Sequence, residues 1–512
     1  MDWKPLGDAA FMSESAGAGA LAKRMRREAP AACLDIVSSY DQVAVYFQPE
    51  DHAEICRWLE SELPPETEKV AVRRHRIPVF YDEELLEALT RKLDLTSEEI
   101  ISLHCSACYK VAAVGFSPGF PYLTGLPERL HLPRRSSPVK LPAGSVAIAA
   151  DQAGIYPTRS LGGWHSLGRT SFSLFDGIEA ALEPGDEVTF YAIEEEPVVQ
   201  ENEGGFLVKD PAVEVLSPGP ASSIQDGGRA GFRHLGVTAG GAVDVEAAAA
   251  ANLLVGNPAA APLLEFGLVG PSLKFLREVC VSYQGLAGPR PGAPQTIPKG
   301  GTLNLDGRPL ASYGYLAIAG GFHTRRILGS ASVDVRAGLG RVLRRGDLLD
   351  SEAPFSIPNF ADGQSVRWPR GGGYLTLRVL PGWQEDWFSE SVLEEFYEEA
   401  FEKSSHFDRT GARLSGCGLN VSEVRELRSQ PTAPGAIQVP PSGEAIVLTA
   451  ECQTIGGYPV IAHLITADLP SFTRALPGTI LRFQKVTLEE ARQAYDERGK
   501  ELSFLKTGLS LL

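Results

Sequence analysis

The sequence predicts a mostly β protein in which barrel-like units follow one another in tandem behind a small N-terminal α+β domain. Two observations lead to this fold class. First, residues 115–125 (GFSPGFPYLTG) and 407–416 (FDRTGARLSG) each contain Phe, a short spacer of equal length and then Leu-x-Gly. Second, each segment is followed by a glycine-bearing loop, an apolar strand and an acidic residue near Gln, in 141–152 and in 439–453. This recurrence in one order indicates a β unit that is used more than once.

The composition limits the class of protein. A chain of 512 residues is too long for one core, so several domains are expected. A net charge of -16 argues against nucleic-acid binding, which depends on clustered Lys and Arg. No apolar stretch reaches the ~20 residues that span a bilayer, and we see no signal peptide. The 7 cysteines are scattered, which fits reduced thiols in a cytoplasm.

The N-terminal part alternates helical and strand patterns. Residues 16–28 and 51–60 read as helices, 35–47 as two strands around a turn, and 70–81 as a strand, which together predict an α+β domain. The next helix is expected at 82–93, and a further helix opens at Ser97, a plausible cap.

The remaining chain is predicted to be rich in β structure. Short strands separated by Gly and Pro fill 109–191, and a second β-rich region covers 213–349 with one helix at 243–254. The acidic stretch 194–205 reads as a linker, and 351–373 reads as a loop. Helices are expected at 390–403 and 487–498. The predicted domains are 1–82 (α+β), 83–193 (first barrel), 194–208 (linker), 209–365 and 366–490 (two further barrel regions) and 491–512 (C-terminal tail).

Several common active-site motifs are missing from the sequence. It has no GxxxxGK[ST] loop for ATP and no HExxH. The histidines form no HxH or HxxxH cluster, so no metal site is predicted, and no Met-Lys pair exists to carry biotin. The pair Cys105 and Cys108 has CxxC spacing but leads into a strand, so idle thiols are the favoured interpretation.

Both halves resemble subunits of one family. The first half contains residues 115–127 (GFSPGFPYLTGLP), 142–146 (PAGSV), 154–157 (GIYP), 162–164 (GGW) and 168–170 (GRT), and it resembles the smaller subunit of the allophanate hydrolase subunit/kinase inhibitor family. The second half resembles the larger subunit, through Gln225-Asp226, Arg229, 251–257 (ANLLVGN), Asp408-Arg409, 435–441 (GAIQVPP), Gln453-Thr454 and 456–459 (GGYP). The resemblance covers nearly the whole chain, in the order small subunit then large.

The resemblance implies a fold and an activity. It implies cyclophilin-like β-barrels in tandem after the α+β domain. Members of the family are subunits of bacterial 5-oxoprolinase, related to the carboxyltransferase domain of urea carboxylase. It therefore implies ATP-dependent opening of the 5-oxoproline lactam to glutamate with a separate third subunit, which shares the ATP. A small anionic amide is the expected substrate, and no nucleic-acid or membrane partner is expected; homo-oligomerisation stays open.

Several positions differ from the family pattern. Leu161 replaces a Pro, Tyr313 and Ala331 replace Arg residues, Arg474 replaces a Gln, and Glu451-Cys452 replaces Asp-Arg. The glycines are retained while polar positions change, which favours a retained fold with an altered site.

Lactam hydrolysis requires carbonyl polarisation, a nucleophile and protonation of the leaving nitrogen. We therefore select His165, Arg169, Asp226, Arg229 and Glu451 as catalytic candidates. The candidate substrate-binding residues are Ser117, Gly119, Tyr122, Gly162, Gly163, Trp164, Thr170, Gln225, Asn252, Asp408, Arg409, Gln453, Thr454 and Tyr458. Arg169→Ala and Arg229→Ala are each expected to lower turnover at least ~10-fold, through loss of a charge-assisted contact.

A structural role competes with each functional one. The glycines of 115–125 and 162–163 can simply turn the chain, and Asp226 with Arg229 can form an internal ion pair that shapes a loop. Asn252 lies in an Ala-rich helix, where a cap, a packing contact and a ligand contact are all open. His104, just before a strand, reads equally as a structural histidine or a base.

Two rival functions remain at this stage. The first is a biotin-dependent carboxyltransferase that works with a separate biotinylated carrier. The second is a non-catalytic cyclophilin-like inhibitor of a histidine kinase, which the changed polar positions favour.

Overall fold

The structure is a computed structural model. It describes residues 1–61, 72–135, 137–199, 205–206, 208–287, 290–351, 372–421 and 427–510. Within these residues, no helix combines the length and apolar character that crossing a bilayer requires. All 7 cysteines are free thiols.

The N-terminal segment is an antiparallel sheet with two helices. Its elements are β1 (Lys4–Pro5), β2 (Ala10–Glu14), α1 (Ala18–Glu28), β3 (Cys33–Ser39), β4 (Gln42–Phe47) and α2 (His52–Glu60). Helix α1 buries Ala18, Ala22 and Met25, which recur at helical spacing, against Ile36 and the rest of the sheet core. The predicted α+β character and both predicted helices are confirmed.

A seven-stranded barrel follows. Its elements are β5 (Arg74–Tyr81), α3 (Glu83–Leu93), α4 (Ser97–Ser106), β6 (Tyr109–Val114), β7 (Pro121–Thr124), β8 (Val139–Leu141), β9 (Ser145–Ala149), β10 (Gln152–Ile155), β11 (Ser160–Gly162), β12 (His165–Arg169) and β13 (Glu187–Ile193). Strands β6-β13-β5-β12-β9-β10-β7 pair in that order, and pairing of β7 with β6 closes the ring. Strand β5 runs parallel to β13, and Ser39 of β3 pairs with Ala113 of β6, which joins the N-terminal sheet to the barrel.

Side-chain caps begin the two helices of this barrel. Asp82 accepts hydrogen bonds from Glu84 N and Leu85 N at the start of α3. At α4 the cap is Thr96, which exchanges hydrogen bonds with Glu99 in a capping box. The prediction that Ser97 caps this helix was therefore wrong by one residue.

Residues 211–351 form two five-stranded sheets that share one apolar core. The elements are β14 (Pro211–Ser217), β15 (Ser223–Gln225), α5 (Val245–Leu253), β16 (Leu263–Phe266), β17 (Ser272–Phe275), β18 (Val279–Gln284), β19 (Gln295–Ile297), β20 (Thr302–Asn304), β21 (Gly314–Ile318), β22 (Phe322–His323) and β23 (Leu348–Ser351). The sheet orders are β20-β17-β14-β23-β22 and β15-β16-β21-β18-β19. Leu273 of the first and Leu316 of the second belong to the same buried cluster, so this segment is a sandwich.

A second closed barrel ends the chain. Its elements are β24 (Tyr374–Pro381), α6 (Glu390–Glu398), β25 (Phe401–Phe407), β26 (Gly411–Ser415), β27 (Gln430–Pro431), β28 (Ala436–Gln438), β29 (Ile446–Leu448), β30 (Ile455–Gly456), β31 (Val460–Leu464), α7 (Leu469–Arg474), β32 (Ile480–Lys485) and α8 (Leu488–Ser510). The ring order is β24-β31-β28-β29-β26-β25-β32, with β24 parallel to β32. The predicted helix 390–403 was too long, because the chain turns into β25 at Phe401, where alternate residues face the barrel core.

The two rings have one connectivity. Taken in chain order, the strands of the two rings correspond one to one and pair in the same order. The first set is β5, β6, β7, β9, β10, β12 and β13, and the second is β24, β25, β26, β28, β29, β31 and β32. The register of strand pairing also shifts at the same place in both rings. In the pairing of β12 with β9 the shift lies between Ser166 and Gly168, and in the pairing of β31 with β28 it lies between Val460 and Ala462. The predicted duplication and the mostly β tandem-barrel fold are confirmed.

One detail of the sequence alignment was wrong. The sequence matched segment 141–152, which contains β9, to segment 439–453, which contains β29. The hydrogen bonds instead match Gly144 to Gly435, so the counterpart of β9 is β28, one strand before β29. Gly144 N donates to Tyr156 O and Gly435 N to Leu448 O, while Thr170 N and Leu464 N donate to the respective glycine carbonyls. Both glycines have a positive φ, which favours glycine.

The domain boundaries drawn from the sequence stay predictions. Strand β5, inside the predicted segment 1–82, is hydrogen-bonded to β12 and β13 of the first barrel. Most of the predicted loop 351–373, and residues 200–204 of the predicted linker, lie outside the described residues.

Candidate functional site

A cavity of about 830 Å³ lies where the first barrel, the sandwich and the second barrel meet. Its walls come from the β6–β7 loop of the first barrel, a sandwich loop, and the β25–β26 hairpin and post-β29 loop of the second barrel. The lining includes Ser117, Asp334, Asp408, Gln438, Glu451 and Tyr458. The two repeated hairpins thus face one shared cavity.

Arg409 donates hydrogen bonds to four groups at the floor of this cavity. Its Nε donates to Glu451 Oε1 at 2.5 Å and its Nη1 to Glu265 Oε1. Its Nη2 donates to Gln225 Oε1 at 3.1 Å and to Gly241 O at 2.6 Å. Glu451 belongs to the second barrel and the other three partners to the sandwich, so the guanidinium joins the two beneath the cavity.

Glu451 is a buried carboxyl group in the lining. It is 8% exposed, and burial raises the pKa of its carboxyl to about 7, although Arg409 opposes the shift. The nearby carboxylates of Asp334 and Glu265 raise this pKa further. Glu451 can therefore gain and lose a proton near neutral pH, as acid–base catalysis requires.

Arg229 is buried close to this floor. Its side chain is almost fully buried, and Nη2 donates to Ser332 O, whereas Nε and Nη1 have no hydrogen-bond partner among the described residues. Burial lowers the pKa of Arg229, while Asp334, Asp226 and Glu451 oppose that shift by charge. A positive charge here favours the ionised form of Glu451.

Asp226 is bound within the sandwich. Its carboxylate accepts hydrogen bonds from Ser330 Oγ and Ser332 Oγ, both at 2.6 Å, from Ala331 N at 2.7 Å and from Gly228 N at 2.8 Å. These four contacts hold two loops together, so Asp226 shapes the loops through these hydrogen bonds rather than through the expected ion pair with Arg229. Gln225 lies alongside, with Nε2 bound to Ser223 Oγ and Val333 O.

The equivalent face of the first barrel is filled by its own aromatic side chains. Phe120 packs edge to face against Tyr122 and Tyr156 at 5.0 Å and against Trp164 at 5.7 Å between ring centroids. A Cβ on Gly162 would lie 2.4 Å from Tyr156 Oη, so this packing requires a glycine. Tyr122, Gly162 and Trp164 therefore form a packed rim, and Gly163 lies between the last two.

Gly456, Gly457 and Tyr458 are the counterparts of Gly162, Gly163 and Trp164 in the second barrel. Trp164 is buried, whereas Tyr458 is 39% exposed and lines the cavity. The two rims therefore differ, because the first repeat is closed by its aromatic side chain and the second is open to the cavity.

The other first-barrel candidates lie away from the cavity lining. His165 is buried with Nε2 3.0 Å from Pro133 O, and burial lowers its pKa. Arg169 forms an ion pair with Glu196. Thr170 Oγ1 accepts from Phe172 N at 3.1 Å, and a Cβ on Gly119 would lie 2.4 Å from Leu174 O. His104 is also structural: it stacks on Phe190 inside the first barrel.

Three candidates from the second half of the chain lie in different places: inside the sandwich, on the cavity lining and behind the lining. Asn252 is held inside the sandwich, with Nδ2 donating to Ala259 O and Ala261 O and Oδ1 accepting from Asn257 Nδ2. Asp408 lines the cavity and accepts from Arg336 Nη2 at 2.7 Å. Thr454 is buried behind the lining, and its Oγ1 has no hydrogen-bond partner within the described protein.

Sequence and structure comparisons identify the family. The model "Carboxyltransferase domain, subdomain C and D" matches residues 4–183, and "Carboxyltransferase domain, subdomain A and B" matches 235–485. The C component of 5-oxoprolinase from Escherichia coli (strain K12) is 34% identical over 301 residues, 56% of this chain and 96% of that protein. The chain belongs to this carboxyltransferase-domain family.

Further relatives and one solved structure are also similar to this chain. The B component of 5-oxoprolinase from Escherichia coli O157:H7 is 43% identical over 141 residues, 26% of this chain and 62% of that protein. Urea amidolyase of Lachancea kluyveri is 26% identical over 58% of this chain but only 18% of its own length. The crystal structure of TTHA0988 superposes with a TM-score of 0.82 at 35% identity and covers 93% of this chain and 99% of that one.

The cavity lies between the two parts of the carboxyltransferase domain. Ser117 belongs to the segment matched by subdomains C and D, whereas Asp334, Asp408 and Glu451 belong to the segment matched by subdomains A and B. The fusion therefore brings both matched parts to one cavity within a single chain.

Sequence reasoning missed several lining residues, among them Asp334, Arg336, His406, Arg413 and Gln438. Gln438 stands in the quoted block 435–441, where its polar side chain after two apolar residues was the available signal. The others carry no local motif, because three segments meet only in the folded molecule. Arg474, a departure from the family pattern, instead pairs with Asp244 and Glu246 in the interior.

Proposed function

We propose that this chain joins the B and C parts of an ATP-dependent 5-oxoprolinase that hydrolyses 5-oxo-L-proline to L-glutamate with a separate third subunit. Relatives named as the B and C components of 5-oxoprolinase match 26% and 56% of this chain. The observation that carries the proposal is Glu451, a buried carboxyl with a pKa of about 7 in the cavity between the halves. We place the activity in the cytoplasm, in keeping with 7 free cysteines.

Glu451 supplies the acid–base chemistry in this proposal. As a carboxylate it takes a proton from the attacking water, and as a carboxylic acid it returns that proton to the leaving lactam nitrogen. Arg409 already donates to four protein groups, so it orients Glu451 and does not bind substrate. Arg229 acts through its charge, because a nearby cation favours the ionised form of Glu451.

The cavity mouth suits the substrate carboxylate. Arg336 and Arg413 lie there and pair with Asp408 at 2.7 Å and Glu444 at 2.6 Å. Both pairs are exposed, and such ion pairs stabilise a protein by only about 0–1 kcal/mol. Exchanging one protein carboxylate for the carboxylate of the substrate therefore costs little free energy.

ATP would activate the lactam by phosphorylating its oxygen. The described lining of this cavity does not fit a triphosphate, because the carboxylates of Asp334, Asp408 and Glu451 offset the charge of its three arginines, Arg159, Arg336 and Arg413. We therefore propose that ATP is shared with the third subunit, which supplies most of its contacts, and we assign no phosphoryl-transfer step to residues of this chain.

A biotin-dependent carboxyltransferase is the second candidate function. The family description and the urea amidolyase relative favour it. In this case, a separate carrier protein would bring carboxybiotin to the same cavity, and Glu451 would accept a proton from the acceptor amide. No biotin would be attached to this chain.

Turnover by the complete assembly separates the two functions. The chain is coexpressed with the third subunit, and glutamate and ADP are measured after adding 5-oxoproline and ATP, with each protein alone as the control. Release of both products only by the assembly supports the proposal. Absence of glutamate from the purified assembly, together with carboxyl transfer from carboxybiotin, would replace it with the second candidate.

A further inference from the structure

The two barrels provide a comparison within one chain. Ala147 on β9 and Gln438 on β28 occupy the same register position, each between the equivalent neighbours β10 and β12 or β29 and β31. In the closed repeat the barrel forms with alanine at this position. In the open repeat the position carries a glutamine that faces the cavity. Gln438 is therefore not required by the barrel itself.

Gln438 is buried without a protein partner for its amide nitrogen. The residue is 2% exposed, and Nε2 has no hydrogen-bond partner among the described residues. A Cβ on Gly456 would lie 2.9 Å from this nitrogen and 2.6 Å from Gln453 Nε2. Two side-chain amides thus converge over a glycine that leaves room for them, in the wall of the same cavity.

Ser117 contributes a third neutral polar group from the other repeat. It lies on the β6–β7 loop, lines the cavity and is buried, and its Oγ has no hydrogen-bond partner in the described structure. A buried donor without a partner destabilises the protein, so a ligand that satisfies it gains affinity.

We infer that Gln438, together with Gln453 and Ser117, binds the neutral carbonyl of a cyclic amide, which deepens the proposed function and rests on it. Neutral donors suit a carbonyl oxygen and the negative charge that grows on it as water adds. A carboxylate would be repelled here, because Glu451 and Asp334 lie in the same lining. The lactam carbonyl therefore enters the cavity, and the substrate carboxylate stays at the arginines of the mouth.

This assignment makes Gln438 a specificity residue. L-Proline has the ring and the carboxylate of 5-oxoproline but not the ring carbonyl, so it leaves the amide of Gln438 unpaired. Sites built to hydrogen-bond a substrate group discriminate strongly against analogues that lack the group. 2-Pyrrolidinone, which has the lactam but no carboxylate, should still occupy the subsite.

Ligand-observed NMR and calorimetry test the inference on the full chain and on its assembly with the third subunit. The probes are 5-oxoproline, 2-pyrrolidinone and L-proline. Gln438→Ala, the residue that the first repeat has at this position, is expected to weaken binding of both lactams about tenfold and to leave weak L-proline binding unchanged. Gln284→Ala removes another buried glutamine, whose Nε2 also has no partner among the described residues, and serves as the matched control.

A second pair of variants tests the same subsite in case Gln438→Ala does not fold. Ser117→Ala should weaken lactam binding several-fold, whereas Ser13→Ala, at a buried serine of the N-terminal sheet whose Oγ likewise has no described partner, should not. Equal lactam affinity in wild type, Gln438→Ala and Ser117→Ala would overturn the inference, as would the absence of lactam binding to chain and assembly alike. Lactam binding that depends on Gln438 without any turnover would retain the subsite and reject the hydrolase proposal.

Discussion

Arg409 and Glu451 are joined twice, through side chains and through backbone. Arg409 Nε donates to Glu451 Oε1 at 2.5 Å, and Glu451 N donates to Arg409 O at 2.8 Å. The first residue lies on the β25–β26 hairpin and the second follows β29, so the double contact fixes the carboxyl relative to both cavity walls. A carboxyl that is buried, oriented and poised near neutral pH is suited to proton transfer.

The pH dependence of turnover should follow Glu451. In the proposed function its carboxylate is the base, and its pKa is raised from 4.5 to about 7, so kcat/KM of the assembly should rise with pH and level off above about pH 7. At pH 6 the rate should be roughly a tenth of the plateau. Steady-state rates in a constant-ionic-strength buffer series check this, and a profile that is flat from about pH 5.5 to 8 would contradict it.

Arg409→Met should destabilise the fold. The substitution leaves Glu265 buried without its ion-pair partner, and breaking a buried pair costs about 3–5 kcal/mol. Chemical denaturation measures the change in the free energy of unfolding. Arg413→Met removes an exposed pair with Glu444 and should cost less than about 1 kcal/mol. Similar losses of unfolding free energy in the two variants would show that the buried ion pairs of Arg409 do not stabilise the fold more than an exposed pair does.

Arg169 and Arg229 should now behave differently, although the sequence predicted similar losses. Arg169→Ala should keep turnover within about threefold of wild type, because its guanidinium pairs with Glu196 and does not line the cavity. Arg229→Ala should lower turnover about tenfold and move the pH profile upward, since removal of a nearby cation raises the pKa of Glu451. A tenfold loss in folded Arg169→Ala would show that Arg169 takes part in turnover.

Lys403 should make stability depend on pH in the alkaline range. Its ammonium group is buried beside Phe472 and donates to Ala475 O at 2.7 Å, and burial lowers its pKa from 10.5 to about 7. Between those pH values the unfolded chain binds more protons than the folded one, so the free energy of unfolding contributed by this group rises with pH. Lys403→Met should remove this rise, whereas Lys110→Met, on an exposed strand position, should keep it. Parallel curves for wild type and Lys403→Met would exclude Lys403 as the cause.

The sequence predicted the fold well because its signals are local. The Phe-to-Leu-x-Gly spacing recurs where the hairpins β6–β7 and β25–β26 recur, and helix α1 begins and ends close to the predicted bounds. The second repeated block was misplaced by one strand, because Gly144 and Gly435 are matched by hydrogen bonds to distant strands and not by identical neighbours.

The site was only partly predictable, for a physical reason. Glu451, Ser117, Gln453 and Tyr458 line the cavity, and glycine-rich loops indicated all four. The same signal also selected Gly162 and Trp164, because a glycine pair before an aromatic residue looks alike whether the aromatic ring closes the barrel rim or borders a cavity. That difference is set by Phe120 and Tyr156 packing from other strands, which one sequence does not reveal.

One measurement tests the central claim most directly: glutamate formation from 5-oxoproline and ATP by the assembly containing Glu451→Gln, compared with wild type. The substituted amide keeps the size and the contact with Arg409 but cannot exchange a proton, so we expect kcat to fall by at least about 100-fold while the melting temperature and lactam affinity are retained. A folded Glu451→Gln assembly that turns over at the wild-type rate would contradict the claim that hydrolysis takes place at this carboxyl.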